Sequence, residues 1–173
     1  MAKTIRILKR SECEVLRVMK KYKLGYTTGV FDLFHIGHLN ILRRAKEQCE
    51  YLIVGVSTDE LVMGYKNKNP IIPFEERKQI VEAIKYVDEV VPQETLEKVE
   101  AYLRLENKFF EKNVGKDAVF VGSDWKGSPS WNKYELEFKK IGVDIVYLPY
   151  TDGTSSTLLK QVLNEILENK VKI

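Results

Sequence analysis

Apolar positions along this 173-residue chain change spacing in a regular way. Five short runs rich in β-branched and aromatic side chains, Leu24 to Thr28, Tyr51 to Val56, Glu89 to Val91, Ala118 to Val121 and Ile145 to Leu148, read as buried strands. After each run the pattern turns helical: Leu39, Ile41, Leu42, Ala45 and Cys49 follow the first, and Leu158, Leu159, Val162, Leu163 and Ile166 follow the last. Strands that alternate with helices predict a doubly wound α/β domain, a five-stranded parallel sheet covered on both faces with its ligands at the carboxyl ends of the strands.

Residues 1–22 stand apart as an N-terminal extension before a domain of residues 23–173. They read as a strand at Ile5 to Leu8 and a helix with Val15, Leu16 and Met19 on one face. Tyr65 to Pro73, rich in lysine and asparagine and closed by two prolines, is the expected mobile loop, and Lys126 to Lys133 is a second loop. Neither repeats nor low-complexity segments occur.

Length favours one domain with a sizeable core. The net charge of +3 is too mild to point to nucleic acid. The basic start, with Lys3, Arg6, Lys9 and Arg10, has no long apolar run or cleavage pattern, and no segment has the length of a membrane span. Cys13 and Cys49, both in predicted helices, suggest a reducing compartment without a disulfide framework. A cytoplasmic enzyme or binding protein is expected, with no nucleic-acid or membrane partner.

Candidate chemistry concentrates at the predicted strand ends. In Thr28-Gly29-Val30-Phe31-Asp32-Leu33-Phe34-His35-Ile36-Gly37-His38, two histidines fall at a helix start, where unpaired amides attract anions and imidazoles can donate to phosphoryl oxygens. Gly37 would let the backbone approach closely. The plainer reading is that both histidines cap and pack. A zinc site fails for want of ligands, because the chain holds no other histidine and no CxxC spacing.

Ser57-Thr58-Asp59-Glu60 has the spacing of a capping box and needs no ligand. Lys66 and Lys68 are either solvated or able to close over a polyphosphate, and Phe74-Glu75-Glu76-Arg77-Lys78 opens a helix. In Gly122-Ser123-Asp124-Trp125 the indole either stacks on a base or fills core. The last strand runs into Tyr150-Thr151-Asp152-Gly153-Thr154-Ser155-Ser156-Thr157. A helix cap needs one hydroxyl, so four in a row favour a phosphate cradle.

The ordered set GVFDLFHIGH, STDE, a lysine-rich loop, PFEERK, KYVDEVV, GSDW and YTDGTSST resembles the HxGH nucleotidyltransferases, most closely the bacterial glycerol-3-phosphate cytidylyltransferases, over about residues 24 to 168. The resemblance implies a Rossmann-like fold and a usual homodimer. It implies CTP bound along Gly29, Val30, Phe31, Asp32, His35, Ile36, Gly37 and His38, by Asp124 and Trp125, and along Tyr150, Thr151, Asp152, Gly153, Thr154, Ser155, Ser156 and Thr157. It also implies Lys68 at the nucleotide phosphates, and Lys66 with Arg77 at a phosphorylated acceptor. The expected reaction is magnesium-assisted transfer of CMP from CTP to a phosphorylated small alcohol, sn-glycerol 3-phosphate first. His35, His38, Lys66 and Lys68 are the expected catalytic residues, and the magnesium travels on the nucleotide with no metal site on the protein. The family's final motif commonly reads RTxGISTT, so Tyr150 replaces an arginine here, and Val30 stands where a threonine often occurs. The rivals are an adenylyltransferase of FAD-synthase type, a cytidylyltransferase for another phospho-alcohol such as phosphocholine, and a nucleotide-binding sensor without turnover.

Overall fold

Leu52, Ile53, Val54 and Val56 expose no surface, so the strand that carries them is covered on both faces, as its unbroken apolar run requires. Burial of each such side chain stabilises the fold by about 1.5–3 kcal/mol as an upper bound. The computed structural model describes residues 20–109 and 116–171. Its five strands are β1 (Tyr22–Gly29), β2 (Cys49–Ser57), β3 (Glu89–Gln93), β4 (Ala118–Gly122) and β5 (Asp144–Leu148). They form one parallel sheet in the order β3-β2-β1-β4-β5. That order reverses at β1, which places the switch point of a doubly wound sheet between β1 and β4.

The crossovers are α1 (Ile36–Gln48), α2 (Asp59–Lys66), α3 (Phe74–Glu82), α4 (Lys98–Phe109) and α5 (Pro129–Lys140), and α6 (Ser156–Val171) follows β5. A single 3-10 turn, Ser123–Trp125, follows β4. Leu42 and Ala45 of α1 and Val81 of α3 pack with Leu52, Val54 and Val56. Tyr102 and Leu105 of α4 and Trp131, Tyr134 and Phe138 of α5 pack with Leu24, Tyr26, Ile53 and Val121. Hence α1 and α3 cover one face of the sheet and α4 and α5 the other. In α6 the expected apolar pattern stays outside the core, with Leu158, Val162, Leu163 and Ile166 all exposed.

Several sequence expectations shift. The strand and helix expected within residues 1–19, and Cys13 with them, lie outside the described residues. Tyr22, assigned to the extension, is the first residue of β1, nearly fully buried and hydrogen-bonded to Asp144 at 3.0 Å. Cys49 is not helical: it caps α1 and begins β2, and burial pushes its thiol up to about 12. The first loop starts later than expected, because Tyr65 and Lys66 complete α2, which Asn67 ends in the left-handed conformation at φ 52°. The second loop ends earlier, since Pro129 opens α5, a first-turn position that lacks nothing by losing its N–H.

Candidate active site

A cavity of about 1050 Å³ opens at the carboxyl ends of the strands. Thr28 and Gly29 of β1, Ser57 of β2, Gln93 of β3 and Val121 of β4 all reach its wall. The wall also takes in Val30, Phe31, Asp32, His38, Lys66, Lys68, Trp125, Ser156 and Thr157, which brings together residues separated by 129 positions in the chain (28 to 157). His35, Ile36, Gly37, Asp124, Tyr150, Thr151, Asp152, Gly153, Thr154 and Ser155 lie outside that wall.

The histidine pair sits where helical spacing placed it, at the start of α1. His35 is the N-cap, and its Nδ1 accepts from the Gly37 amide at 3.1 Å. That bond assigns the remaining proton to Nε2 in the neutral ring. A Cβ on Gly37 would lie 2.8 and 2.9 Å from the His35 Cε1 and Nδ1, so glycine is required there to make room for the capping imidazole. His38 stacks on His35 with centroids 3.9 Å apart, and the rings of Phe31 and Phe34 lie 5.3 and 5.5 Å from it. Burial first, and then the neighbouring imidazole, pull His38 down to about 4, and burial also lowers His35. Both rings are therefore neutral hydrogen-bond groups near pH 7. Among the described residues His38 Nδ1, itself buried, meets no hydrogen-bond partner, a condition that capping and packing do not explain.

Asp32 ties three segments together. Its carboxylate accepts from the amides of Ile71 and Ile72 at 3.0 Å each and pairs with Lys160 at 2.7 Å, while its carbonyl accepts from Ser156 Oγ at 2.7 Å. Burial works to raise this carboxyl, but Lys160 and the two amides outweigh it and hold the group below the usual range. The residues on either side, Phe31 and Leu33, are both left-handed, at φ 55° and 49°. Asp32 thus braces the loop that leads into α1.

Arg77, expected at the acceptor, does not reach the cavity. It has no exposed surface, and its guanidinium donates to the carbonyls of Ile72 (2.8 Å), Val30 and Ser57 (2.9 Å) and to the Asp59 carboxylate (2.7 Å). It locks the Val30 turn to the end of β2 and the start of α2. The capping-box reading also moves by one residue. Thr58 is the N-cap, accepting from the Leu61 amide at 3.2 Å, whereas Ser57 is the buried end of β2 and donates to Gln93 Oε1 at 3.0 Å.

Of the four hydroxyls after Gly153, Ser155 caps α6 through the Leu158 amide (3.1 Å) and Ser156 is held by Asp32. Thr157 is exposed on the cavity wall. Trp125 is 52% exposed, which excludes the core reading, and Trp131 of α5 is the buried indole. Tyr150 is 54% exposed, with only its backbone amide engaged locally, by Ser123 Oγ at 3.2 Å.

Sequence reasoning missed the wall carboxylates Glu165 and Glu168 and two wall lysines, Lys98 and Lys160. Each lysine stands in a helix pattern where lysine reads as solvated, and only the Ser-Ser-Thr run three residues before Lys160 marked its surroundings. Lys66, at the end of α2, is exposed; partial desolvation and then Lys160 lower its ammonium, opposed by Asp32. Lys66, Lys68, Lys98 and Lys160 line the cavity together with the carboxylates Asp32, Glu165 and Glu168, Lys160 being paired with Asp32, so the lysines left over suit an anion, with neutral imidazoles to donate at the reacting phosphoryl group.

Comparison with known proteins agrees. A profile of the cytidylyltransferase-like family matches residues 26–162. The glycerol-3-phosphate cytidylyltransferase of Bacillus subtilis (strain 168) is 38% identical over 135 residues, 78% of this chain and 92% of the relative. The FAD synthase of Thermococcus sibiricus (strain DSM 12597 / MM 739) is 32% identical over 150 residues, 86% of this chain and 96% of the relative. In fold, the chain is similar to a crystal structure of the lipopolysaccharide core biosynthesis protein from Thermoplasma volcanium GSS1, with a TM-score of 0.59 at 20% identity over 77% of this chain and 99% of that one. The architecture, the histidine turn at the switch point and the match across most of the chain agree that this protein belongs to the cytidylyltransferase-like family.

Proposed function

We propose that the protein transfers CMP from CTP to sn-glycerol 3-phosphate, releasing pyrophosphate and forming CDP-glycerol. The observation that carries this reading is the cavity wall itself, where the neutral His38 and the helix starts of α1 and α6 meet Lys66, Lys68 and Lys160 at the sheet's switch point. The greater identity to a cytidylyltransferase than to an FAD synthase supports CTP over ATP.

An acceptor phosphate oxygen, already anionic, attacks the α-phosphorus of CTP; the new P–O bond forms as the bond to the β-phosphate oxygen breaks, and pyrophosphate leaves with the electron pair. Such a nucleophile needs no general base, so the chain contributes alignment and stabilisation of shifting charge. His35 offers its Nε2–H, and His38, neutral through burial, offers one N–H without the cost of discharging a cation. Lys68 and the hydroxyl of Thr157 face the β and γ phosphates. Lys66 faces the acceptor phosphate.

The residues present do not fit a resident magnesium. Among the described residues no three His, Cys, Asp or Glu side chains group to hold an ion, and both Asp32 oxygens are engaged. The ion is proposed to arrive on the triphosphate, and no step above depends on it. The resemblance extends the proposal to a homodimer.

The FAD-synthase relative supports ATP with a flavin phosphate as the second reading. Pyrophosphate release, followed with each nucleoside triphosphate against sn-glycerol 3-phosphate, phosphocholine and flavin mononucleotide, decides between them. CTP with sn-glycerol 3-phosphate is expected to be fastest. Better turnover with ATP moves the chain to the adenylyl branch, and CTP binding without turnover on any acceptor makes it a sensor.

A further inference from the structure

The last helix is anchored by its first turns alone. Ser155 caps α6, Ser156 donates to the Asp32 carbonyl and Lys160 pairs with the Asp32 carboxylate. From Gln161 to Glu168 every residue is exposed, and among the described residues no hydrogen bond or ion pair joins that stretch to another element. One side of the helix, with Thr157, Lys160, Asn164 and Glu168, lines the cavity. The opposite side carries Leu158, Val162, Leu163, Ile166 and Leu167, each 41–61% exposed. Helical spacing gathers these five into one apolar stripe turned away from the cavity. Helices take most of their stability from burying such a stripe, so this one calls for a cover.

The segment before β1 has the reach to supply it. The described chain begins at Lys20, whose Nζ donates to the Lys46 carbonyl at 2.6 Å, in the last turn of α1. The 13 residues of α1 rise about 20 Å to the other end of that helix, where Gly37 lies beside the Thr154 carbonyl just before α6. Residues 1–19 span up to about 60 Å when extended, enough to arrive there with several turns of helix on the way.

Its chemistry fits as well. Ile5, Ile7, Leu8, Val15, Leu16 and Met19 supply apolar side chains, and five basic residues against two acidic ones complement Glu165 and Glu168 of α6. Residues 1–19 and 163–168 both fall outside the stretch matched by the family profile, 26–162, as a contact peculiar to this chain requires. A second copy fits less well. The stripe exposes roughly 400 Å² of apolar surface, so two copies meeting there would bury about 800 Å², short of the ~1,200 Å² of a stable interface. A segment of the same chain needs no such area, because its tether supplies the effective concentration.

We propose that residues 1–19 fold back along α1 and lay their apolar side chains on the outer stripe of α6, holding the polar side of that helix over the cavity. This docking goes beyond the transferase reading and does not depend on it.

The test uses the full chain, isotopically labelled for amide NMR, with a nitroxide on Arg6→Cys in a Cys13→Ser background. Cys49 is buried and its thiol pushed up to about 12, so it stays unmodified. Arg6 stands between Ile5 and Ile7, so the label leaves both apolar side chains in place. The amides of Leu158 to Glu168 are expected to lose most of their intensity, on dilution as well, while those of α5 on the other face of the sheet keep theirs. Ile5→Asp with Ile7→Asp, and separately Leu163→Asp with Ile166→Asp, should restore the α6 signals, with thermal melts to show that each variant folds. If the α6 pair does not fold, the extension pair decides alone. Full α6 intensity in the labelled protein, an equal loss in α5, or a loss that survives the substitutions would overturn the proposal. So would a loss seen only when nitroxide-bearing chains are mixed with isotope-labelled ones, which would make the cover a second copy. No readout needs turnover, so failure of the transferase reading leaves the result standing.

Discussion

Two cations, one buried and one half-buried, stand on different sides of the same sheet edge and meet opposite fates. At the α3 corner Arg77 gives its donors to three carbonyls and a carboxylate and is sealed from solvent. At the α4 and α5 wall Lys98 has a single hydroxyl partner and faces a cavity. A planar fork with five donors can be satisfied by converging loop carbonyls, whereas a point charge on a flexible stem leaves donors over. Charge fully met by the fold reads as architecture, and charge left unmet beside a cavity reads as recognition.

The comparison breaks first at Arg77. Arg77→Met should cost about 3 kcal/mol or more of stability, because it leaves the Asp59 carboxylate and three carbonyls without their donor. Urea unfolding measures it. A loss below about 1 kcal/mol would show that the corner tolerates an unmet carboxylate, and the contrast with Lys98 would lose its force.

His38 is a third basic group, half-buried and held neutral. His38→Ala should lower kcat by about a hundredfold or more with the fold intact, as loss of one preorganised donor does. Its pH behaviour has a definite sign. A folded pKa of about 4 lies below the ordinary 6.5, so the unfolded chain binds the proton more readily. Stability present above pH 6.5 is therefore lost as pH falls toward 4, by about 3 kcal/mol in full. Urea midpoints across that window should fall in the wild type and flatten in His38→Phe. A wild-type profile as flat as the variant's would mean that the imidazole titrates normally.

Smaller changes divide the cationic wall. Lys66→Ala should raise the acceptor KM and Lys68→Ala the KM for CTP, each by about tenfold, with each substrate varied in turn. Negligible effects from both would return them to the solvated class. The smallest expected effect is that of Tyr150→Arg. Tyr150 is largely exposed and off the wall, while Lys66, Lys68 and Lys160 already supply charge there, so kcat/KM for CTP should change by less than about threefold. A gain of about tenfold or more would show that the wall lacks a cation and favour the sensor.

What the sequence made legible follows from local physics. Continuous apolar runs bounded by turns revealed all five strands, and helical spacing after Phe34 put the histidines at a helix start. Long-range facts were not legible. The string Phe-Glu-Glu-Arg-Lys reads as a helix start with Arg77 expected at the acceptor, yet Arg77 is its one buried member, held by carbonyls of residues 30 and 57. Lys98 and Lys160 entered the site through the tertiary placement of their helices, which no spacing within those helices encodes. Ser57 missed its capping role because β2 runs one residue further than the apolar pattern shows.

The left-handed backbone at Phe31 and Leu33 carries a consequence for the order of folding. Two non-glycine residues in that conformation cost about 1–2 kcal/mol each. What holds Asp32 between them are partners 39, 40, 124 and 128 residues away in sequence, the last two being Ser156 and Lys160 of α6. Contacts so distant close late, after the loops they span have lost their freedom. The turn that aims the histidines is therefore among the last parts of the molecule to set: a chain whose sheet has formed but whose final helix has not docked is already folded in outline and still chemically silent.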